Sequence, residues 1–216
     1  MNDSRTLSPL DRCIAELDKA LRTAFPTTSH TAARANPAAA QIQDDLDAQE
    51  RQLSGRLMRV NHAGEIAAQA LYQGQAFTAH SDAVRNSMAQ SAAEEVDHLA
   101  WCEQRLQELD MGTSKLDPFW FLGSFAIGAL AGIVGDNFSL GFVAETERQV
   151  AEHLDRHLQR LPTGDHKSHA ILEQMQQDET RHGTIATHAG GNAMPEPVRN
   201  LMRLTSKVMT GTAYWI

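Results

Sequence analysis

Two short stretches of this chain could do chemistry together: Glu95-Val96-Asp97-His98 and Glu179-Thr180-Arg181-His182. Each sets a carboxylate and an imidazole three residues apart, which on a helix is one turn along one face. A pair so placed can grip one metal ion. One Glu-x-x-His says little in a chain with ten His. Two of them say more, because each lies in a helical apolar pattern and each follows a helix with an inward-facing Glu.

Periodicity chooses among neighbouring acids. Glu95 and His98 share a stripe with Met88, Ala92, Leu99, Cys102 and Leu106, whereas Glu94 falls with Gln90, Asp97, Trp101 and Arg105 on a mostly polar face. Glu147 lies with Val143, Val150, Leu154, Leu158 and Leu161, and Glu145 with Gln149, Glu152 and Arg156. Glu179 and His182 line up with Leu172, Met175, Ala186 and Ala189. Glu65 is the only acid between Arg51 and His80 and shares a face with Met58, Ala68 and Tyr72. Any one of these acids alone reads as a partly exposed carboxylate at a helix seam. Four inward acids and two inward His need a stronger reason, since buried carboxylates are costly unless paired or metal-bound.

The elements that must position them are helices. Long helical patterns cover about 47–79, 82–109, 137–161 and 165–189, with turns at 80–82 and at Leu161-Pro162-Thr163-Gly164-Asp165, where Asp165 is a candidate N-cap. Ala63, Gly64, Ala67 and Ala68 would let another helix approach the first. Glu65 lies about 15 residues before the first turn and Glu95 about 15 after it, so at roughly 1.5 Å rise per residue the two return to one level. Glu147 and Glu179 repeat this about 16 residues either side of Thr163. The chain is therefore two helical hairpins, joined by a segment running back along the bundle. The uncharged run 118–135, PFWFLGSFAIGALAGIVG, fills that role. It touches the lower length limit of a membrane span, but a span would put the half-sites on opposite sides of a bilayer, so a crossover is expected. Residues 8–25 read as an extra amphipathic helix (Leu10, Ile14, Leu17, Leu21) and 26–40 as a linker. Residues 197–210 read as a basic amphipathic helix that packs on the bundle or touches an anionic membrane.

Composition bounds the function. With 19 basic and 27 acidic residues the formal charge is −8, which argues against nucleic acid as a partner. Cys13 and Cys102 are far apart with no Cys-x-x-Cys, so a disulfide framework or a zinc ribbon is not expected. The stretch MNDSRTLSPLDR has neither a secretory nor a transit pattern. No flavin or nicotinamide fingerprint is present. The expected domains are residues 1–48, a helix and linker, and 49–216, an all-α four-helix bundle with a long apolar crossover and extra N- and C-terminal helices. A Glu from each of two helices and a Glu-x-x-His from each of the others is the ligand set of ferritin-like di-iron or di-manganese proteins, and mixed carboxylate and imidazole ligands suit those metals better than structural zinc.

The motifs RVNHAGEIAAQALYQGQ, EEVDHLAWCEQRL, SLGFVAETERQVAEHL and QQDETRHGTIA, in that order, resemble the demethoxyubiquinone (3-demethoxyubiquinol) hydroxylase family of ubiquinone biosynthesis in its bacterial form, over about residues 50–216. The resemblance implies two Fe ions per chain: one held by Glu65 and His98, the other by Glu147 and His182, with Glu95 and Glu179 bridging. It implies no catalytic side chain beyond these ligands. It further implies O2-dependent hydroxylation of a polyprenyl methoxy-methyl-benzoquinol ring, a peripheral site on the cytoplasmic face of the bacterial cell membrane reached through 118–135, and room for other ubiquinone-biosynthesis proteins as partners. His62, one turn before Glu65, reads as a support for the ligands, with a packing role as the alternative. Tyr72, two turns from Glu65, reads as too distant for a redox role. An iron-oxidising or iron-storage bundle without a quinone substrate shares the ligands, and a metal-free helical scaffold would merely solvate its acids; metal content separates the last.

Overall fold

The computed structural model describes residues 29–42 and 45–216. The helix expected at 8–25 and the start of the linker lie outside them. The described residues form six α-helices, a short 3-10 turn at Pro37–Ala40, and no strand.

Local chemistry sets the helix ends. Helix α1 (Ala48–Thr78) starts at Asp47, whose side chain accepts from the backbone of Gln49 and Glu50 while the Glu50 side chain returns to the Asp47 N–H. Helix α2 (Asp82–Glu108) is capped by Ser81. Helix α3 (Asp117–Val134) is the apolar run, ended by Gly135 at φ 134°. Helix α4 (Asp136–Leu158) follows at once. Helix α5 (His166–His188) starts at the buried Asp165, which caps Ser168 and accepts from Arg105 of α2 at 2.7 Å. Helix α6 (Glu196–Ala213) closes the chain.

Helices α1 and α2 form one hairpin and α4 and α5 the other, and the hairpins meet mainly through α2 and α5. The crossover lies along the bundle, parallel to α1. At its start Asp117 faces His62 at 3.3 Å, and just beyond its end Asp136 accepts from the backbone of His80 and Ser81, both at 2.9 Å. Between these anchors the backbones nearly touch. A Cβ on Gly74 would sit 2.2 Å from the Phe125 carbonyl oxygen, and one on Gly128 the same distance from that of Leu71. The close approach therefore uses Gly74 and Gly128; a Cβ on Gly64, singled out above, would meet open space. Helix α6 lies beside α3, the two sharing a cluster at each end: Trp120 with Ala213 over Val60 and Ala63, and Ala131 with Val198 and Met202 over Phe142.

Residues 29–42 do not trail away from the bundle. Ala38 is part of the main core with Leu57, Trp101 and Leu109. His30 donates its backbone N–H to Glu103 at 2.8 Å, and Arg34 reaches Asp97 and Asp178. These contacts come from backbone and charged groups, which an apolar pattern does not register.

Candidate metal centre

Glu65, Glu95, Glu147 and Glu179 are each no more than 3 % exposed, and His98 and His182 are similarly buried. All six predicted residues converge. Glu65, Glu95, His98 and Glu179 offer ligand atoms within 4.8 Å of one another, and so do Glu147, Glu179 and His182. The groups share Glu179. His98 Nδ1 lies 3.2 Å from Glu65, 3.1 Å from Glu95 and 3.2 Å from Glu179. His182 Nδ1 lies 3.5 Å from Glu95 and 3.4 Å from Glu179. Glu95 and Glu179 thus face both imidazoles, while Glu65 serves one side and Glu147 the other. The arrangement has the form of two adjacent metal positions with two carboxylates between them.

The inward atoms are those that a cation would need. Glu95 Oε1, Glu147 Oε2, both Glu179 oxygens and His182 Nδ1 are buried and make no hydrogen bond. Such atoms are costly unless something satisfies them. Electrostatics points the same way. Burial, then the charge of Glu179, pushes the Glu95 and Glu147 carboxyls well above the usual range. For Glu179 burial is outweighed by the nearby imidazoles of His182 and His98, 3.4 and 3.2 Å away, and its carboxyl is held low. His182 resists burial through Glu179, Glu95 and Glu94 and is raised to about 9. Protons balance the acids here, and metal cations would compete for the same positions.

The outer ring nitrogens are held as firmly as the inner ones. His98 Nε2 lies 3.1 Å from Asp178 Oδ2, and His182 Nε2 lies 2.8 Å from Glu94 Oε2. The acid preceding each of Glu95 and Glu179 therefore crosses to the imidazole on the opposite helix. Arg181 joins them, with one nitrogen 2.8 Å from Glu94 and 3.1 Å from Asp178. On the far side the Tyr72 hydroxyl donates to Glu147 Oε1, and its ring meets His182 edge-on at 6.4 Å between centroids.

The profile of the family described as "Ubiquinone biosynthesis protein COQ7" matches residues 52–213. A protein of Nitrosococcus oceani named 3-demethoxyubiquinol 3-hydroxylase is 57 % identical over 214 residues, covering 99 % of this chain and all of that protein. Proteins of the same name from Chromohalobacter salexigens and Legionella pneumophila are each 53 % identical, covering 98 % of this chain and 99 % and 100 % of theirs. The chain belongs to the COQ7 family.

All six converging residues lie inside the COQ7 match. So do three that the residue pattern missed: Glu94, Asp178 and Tyr72. The helical period puts Glu94 and Asp97 on a mostly polar face of α2, yet Asp97, Trp101 and Arg105 on that face are all buried. Residues 29–42 and α5 cover it. The available signal was a Trp among polar residues, and an acid before each Glu-x-x-His. Tyr72 is two turns from Glu65 along α1, but it serves Glu147, across the bundle. His62 does not reach the six: it sits between Asp117 at 3.3 Å and Glu103 at 3.5 Å and ties α1 to α2 and α3. Glu145 points away from the centre, as expected, and pairs with Arg148 and Gln149 on its own helix, but it is buried where a solvated acid is expected.

Proposed function

We propose that this chain is a di-iron monooxygenase that hydroxylates the ring of a polyprenyl methoxy-methyl-benzoquinol, the reaction named for its 3-demethoxyubiquinol 3-hydroxylase relatives. The observation that carries the reading is the pair of buried carboxylate–imidazole clusters sharing Glu179. Glu65 and His98 would hold one iron, Glu147 and His182 the other, with Glu95 and Glu179 between them. When bound, such a pair supplies the activation of O2 that organic side chains lack. One oxygen atom ends in the ring hydroxyl and the other in water, so the reaction needs two electrons and two protons from a reductant.

The chain's own residues prepare the site. Asp178 and Glu94 fix the two imidazole planes, and the Tyr72 hydroxyl fixes one oxygen of Glu147. Phe121 of α3 packs on Ile66 and Leu99, the neighbours of Glu65 and His98, and helps to keep water out.

A polyprenyl substrate lives in a bilayer, and the chain is read as a peripheral protein of the cytoplasmic membrane face. Supporting this, Phe119, Leu122 and Leu130 of α3 are 69, 64 and 63 % exposed, and the neighbouring α6 exposes Leu201, Leu204 and Val208. Scattered exposed apolar residues need no explanation, but a concentration on two adjacent helices does.

Two measurements test the reading. Anaerobic reconstitution with ferrous iron, followed by Mössbauer spectroscopy, is expected to give two irons per chain; one or none at saturation rules out the di-iron centre. Cells lacking the protein are expected to accumulate the quinone missing one ring hydroxyl and to recover with the wild-type gene. An unchanged quinone profile rules out the substrate assignment.

A further inference from the structure

Arg34 lies before the matched family region and far from any Glu-x-x-His, yet it touches the outer support of one imidazole. Its Nη1 donates to Asp178 Oδ2 at 2.7 Å, and that same oxygen lies 3.1 Å from His98 Nε2. Its Nε donates to Asp97 Oδ2 at 2.6 Å, while the Ala33 N–H donates to Asp97 Oδ1, also at 2.6 Å. Its guanidinium carbon stands 4.8 Å from the centre of the Trp101 ring, which is itself 5.4 Å from the His98 ring. A planar guanidinium donating in two directions and stacked on an indole has little freedom left.

We propose that Arg34 is a positioning residue, and that residues 29–42 form a strap whose cation locks Asp178 onto His98 and so completes one of the two metal positions from outside the bundle. Arg181 also reaches Asp178, but through the other oxygen, Oδ1, at 3.1 Å, and it is shared with Glu94. Among the described residues, only the Arg34 cation grips the oxygen that faces His98. The two halves of the centre thus differ: the His182 side is held within the bundle by Glu94 and Arg181, and the His98 side depends on the strap. Groups that orient a metal-binding imidazole from behind commonly change metal affinity about 10–100-fold when removed.

The metal-binding consequence rests on the di-iron reading; the link from Arg34 to His98 does not. In metal-free protein, the His98 and His182 Nε2–H resonances are compared in 15N-edited spectra for wild type and for Arg34→Gln. Proton exchange with water at His98 is expected to quicken about tenfold or more in the variant, with His182 unchanged. Arg34→Lys, which keeps a charge but not the two-way fork, is expected to recover it in part. In ferrous-loaded protein, Mössbauer spectra during chelation should then show one iron leaving the Arg34→Gln variant at least tenfold faster and the other at the wild-type rate. If His98 exchange is unchanged, or His98 and His182 quicken equally, the strap does not position His98 and the proposal is overturned. If exchange behaves as expected but wild type holds fewer than two irons, the di-iron reading fails while the positioning role stands. Far-UV circular dichroism of Arg34→Gln must match wild type; should that variant unfold, Arg34→Lys and Asp97→Asn, which loosens the strap without touching Asp178, carry the same comparison.

Discussion

Glu145 and Glu147 stand two positions apart on α4 and meet opposite surroundings. Glu147 points into the centre beside Tyr72 and Glu179, and Glu145 pairs with Arg148 on its own helix. Glu147→Ala and Glu95→Ala are expected to abolish binding of at least one iron and hydroxylation with it, whereas Glu145→Ala keeps both, because Glu145, though buried, pairs with Arg148 and Gln149 outside the centre. Iron per chain and quinone turnover check this; iron loss in the Glu145 variant with retention in the Glu147 variant would reverse the assignment. Glu94 does not behave like Glu145. It accepts from His182, so Glu94→Gln is expected to release iron about 10–100-fold faster while leaving the fold intact. Away from the centre, burial, then Arg156 and Arg160, lowers His153 to about 4, and burial, then His153, lowers His157 to about 2. Both rings are neutral when folded and titrate near 6.5 when unfolded. Below that pH the unfolded chain binds more protons, so the stability is complete above about 6.5 and is lost as the pH falls towards 4. For His153 the loss is on the order of 3 kcal/mol. Thermal midpoints of wild type and His153→Gln should diverge at pH 7 and converge near pH 4; a constant gap contradicts a neutral buried ring.

At the scale of elements, the packing of α1 against α3 is an exacting contact. A Cβ at Gly128 would meet the Leu71 carbonyl at 2.2 Å, and backbone cannot step aside as a side chain can. Gly128→Ala is expected to cost about 1–3 kcal/mol or more, whereas Gly123→Ala, where nothing lies within 4 Å, should be neutral or stabilise by up to about 1 kcal/mol. Urea midpoints of the two variants test the helix register directly, and equal midpoints would mean that α3 does not lie where it is placed. This contact also marks how far the sequence could be read. Helix ends were legible because Asp47 and Asp165 announce them, and the six inward residues because a 3.6-residue period separates Glu95 from Glu94. A helical wheel knows only its own helix. It could not tell that the polar face of α2 lies under Arg34 and α5, nor that Tyr72 reaches across to Glu147, nor which glycine of α1 another backbone would approach. Each of those depends on a partner distant in sequence, and polar contacts such as Arg34–Asp97 leave no periodic trace.

For the whole molecule, the proposed membrane association turns on which surface would meet a bilayer. Helix α3 is long and apolar enough to cross one, with mean hydropathy 1.5, and only 28 % of it is buried within the protein. Yet Asp117 faces His62 on α1, and Asp136 holds the turn before α2, so α3 lies lengthwise on the bundle and not away from it. A helix held this way can offer one face to lipid without spanning. That makes the identity of the residues decisive within the run Phe119, Trp120, Phe121. Phe119 is exposed, whereas Phe121 is 2 % exposed and packs on Ile66 and Leu99. Replacing Phe121 would damage the core and say nothing of membranes. The informative variant is Phe119→Ser, Leu122→Ser, Leu130→Ser. Burying one large apolar side chain is worth about 1.5–3 kcal/mol, so even partial insertion of three predicts at least a tenfold loss of binding to liposomes, with the thermal midpoint and iron content unchanged. Leu201→Ser with Leu204→Ser on α6 should weaken binding further and reduce its dependence on α3. Arg203 and Lys207, on the same helix, should make binding stronger on anionic vesicles and weaker in salt. If the α3 variant sediments with vesicles as wild type does, lipid is not what covers that face, and the proposed polyprenyl substrate would have to reach Glu65 and Glu147 by another side of the bundle.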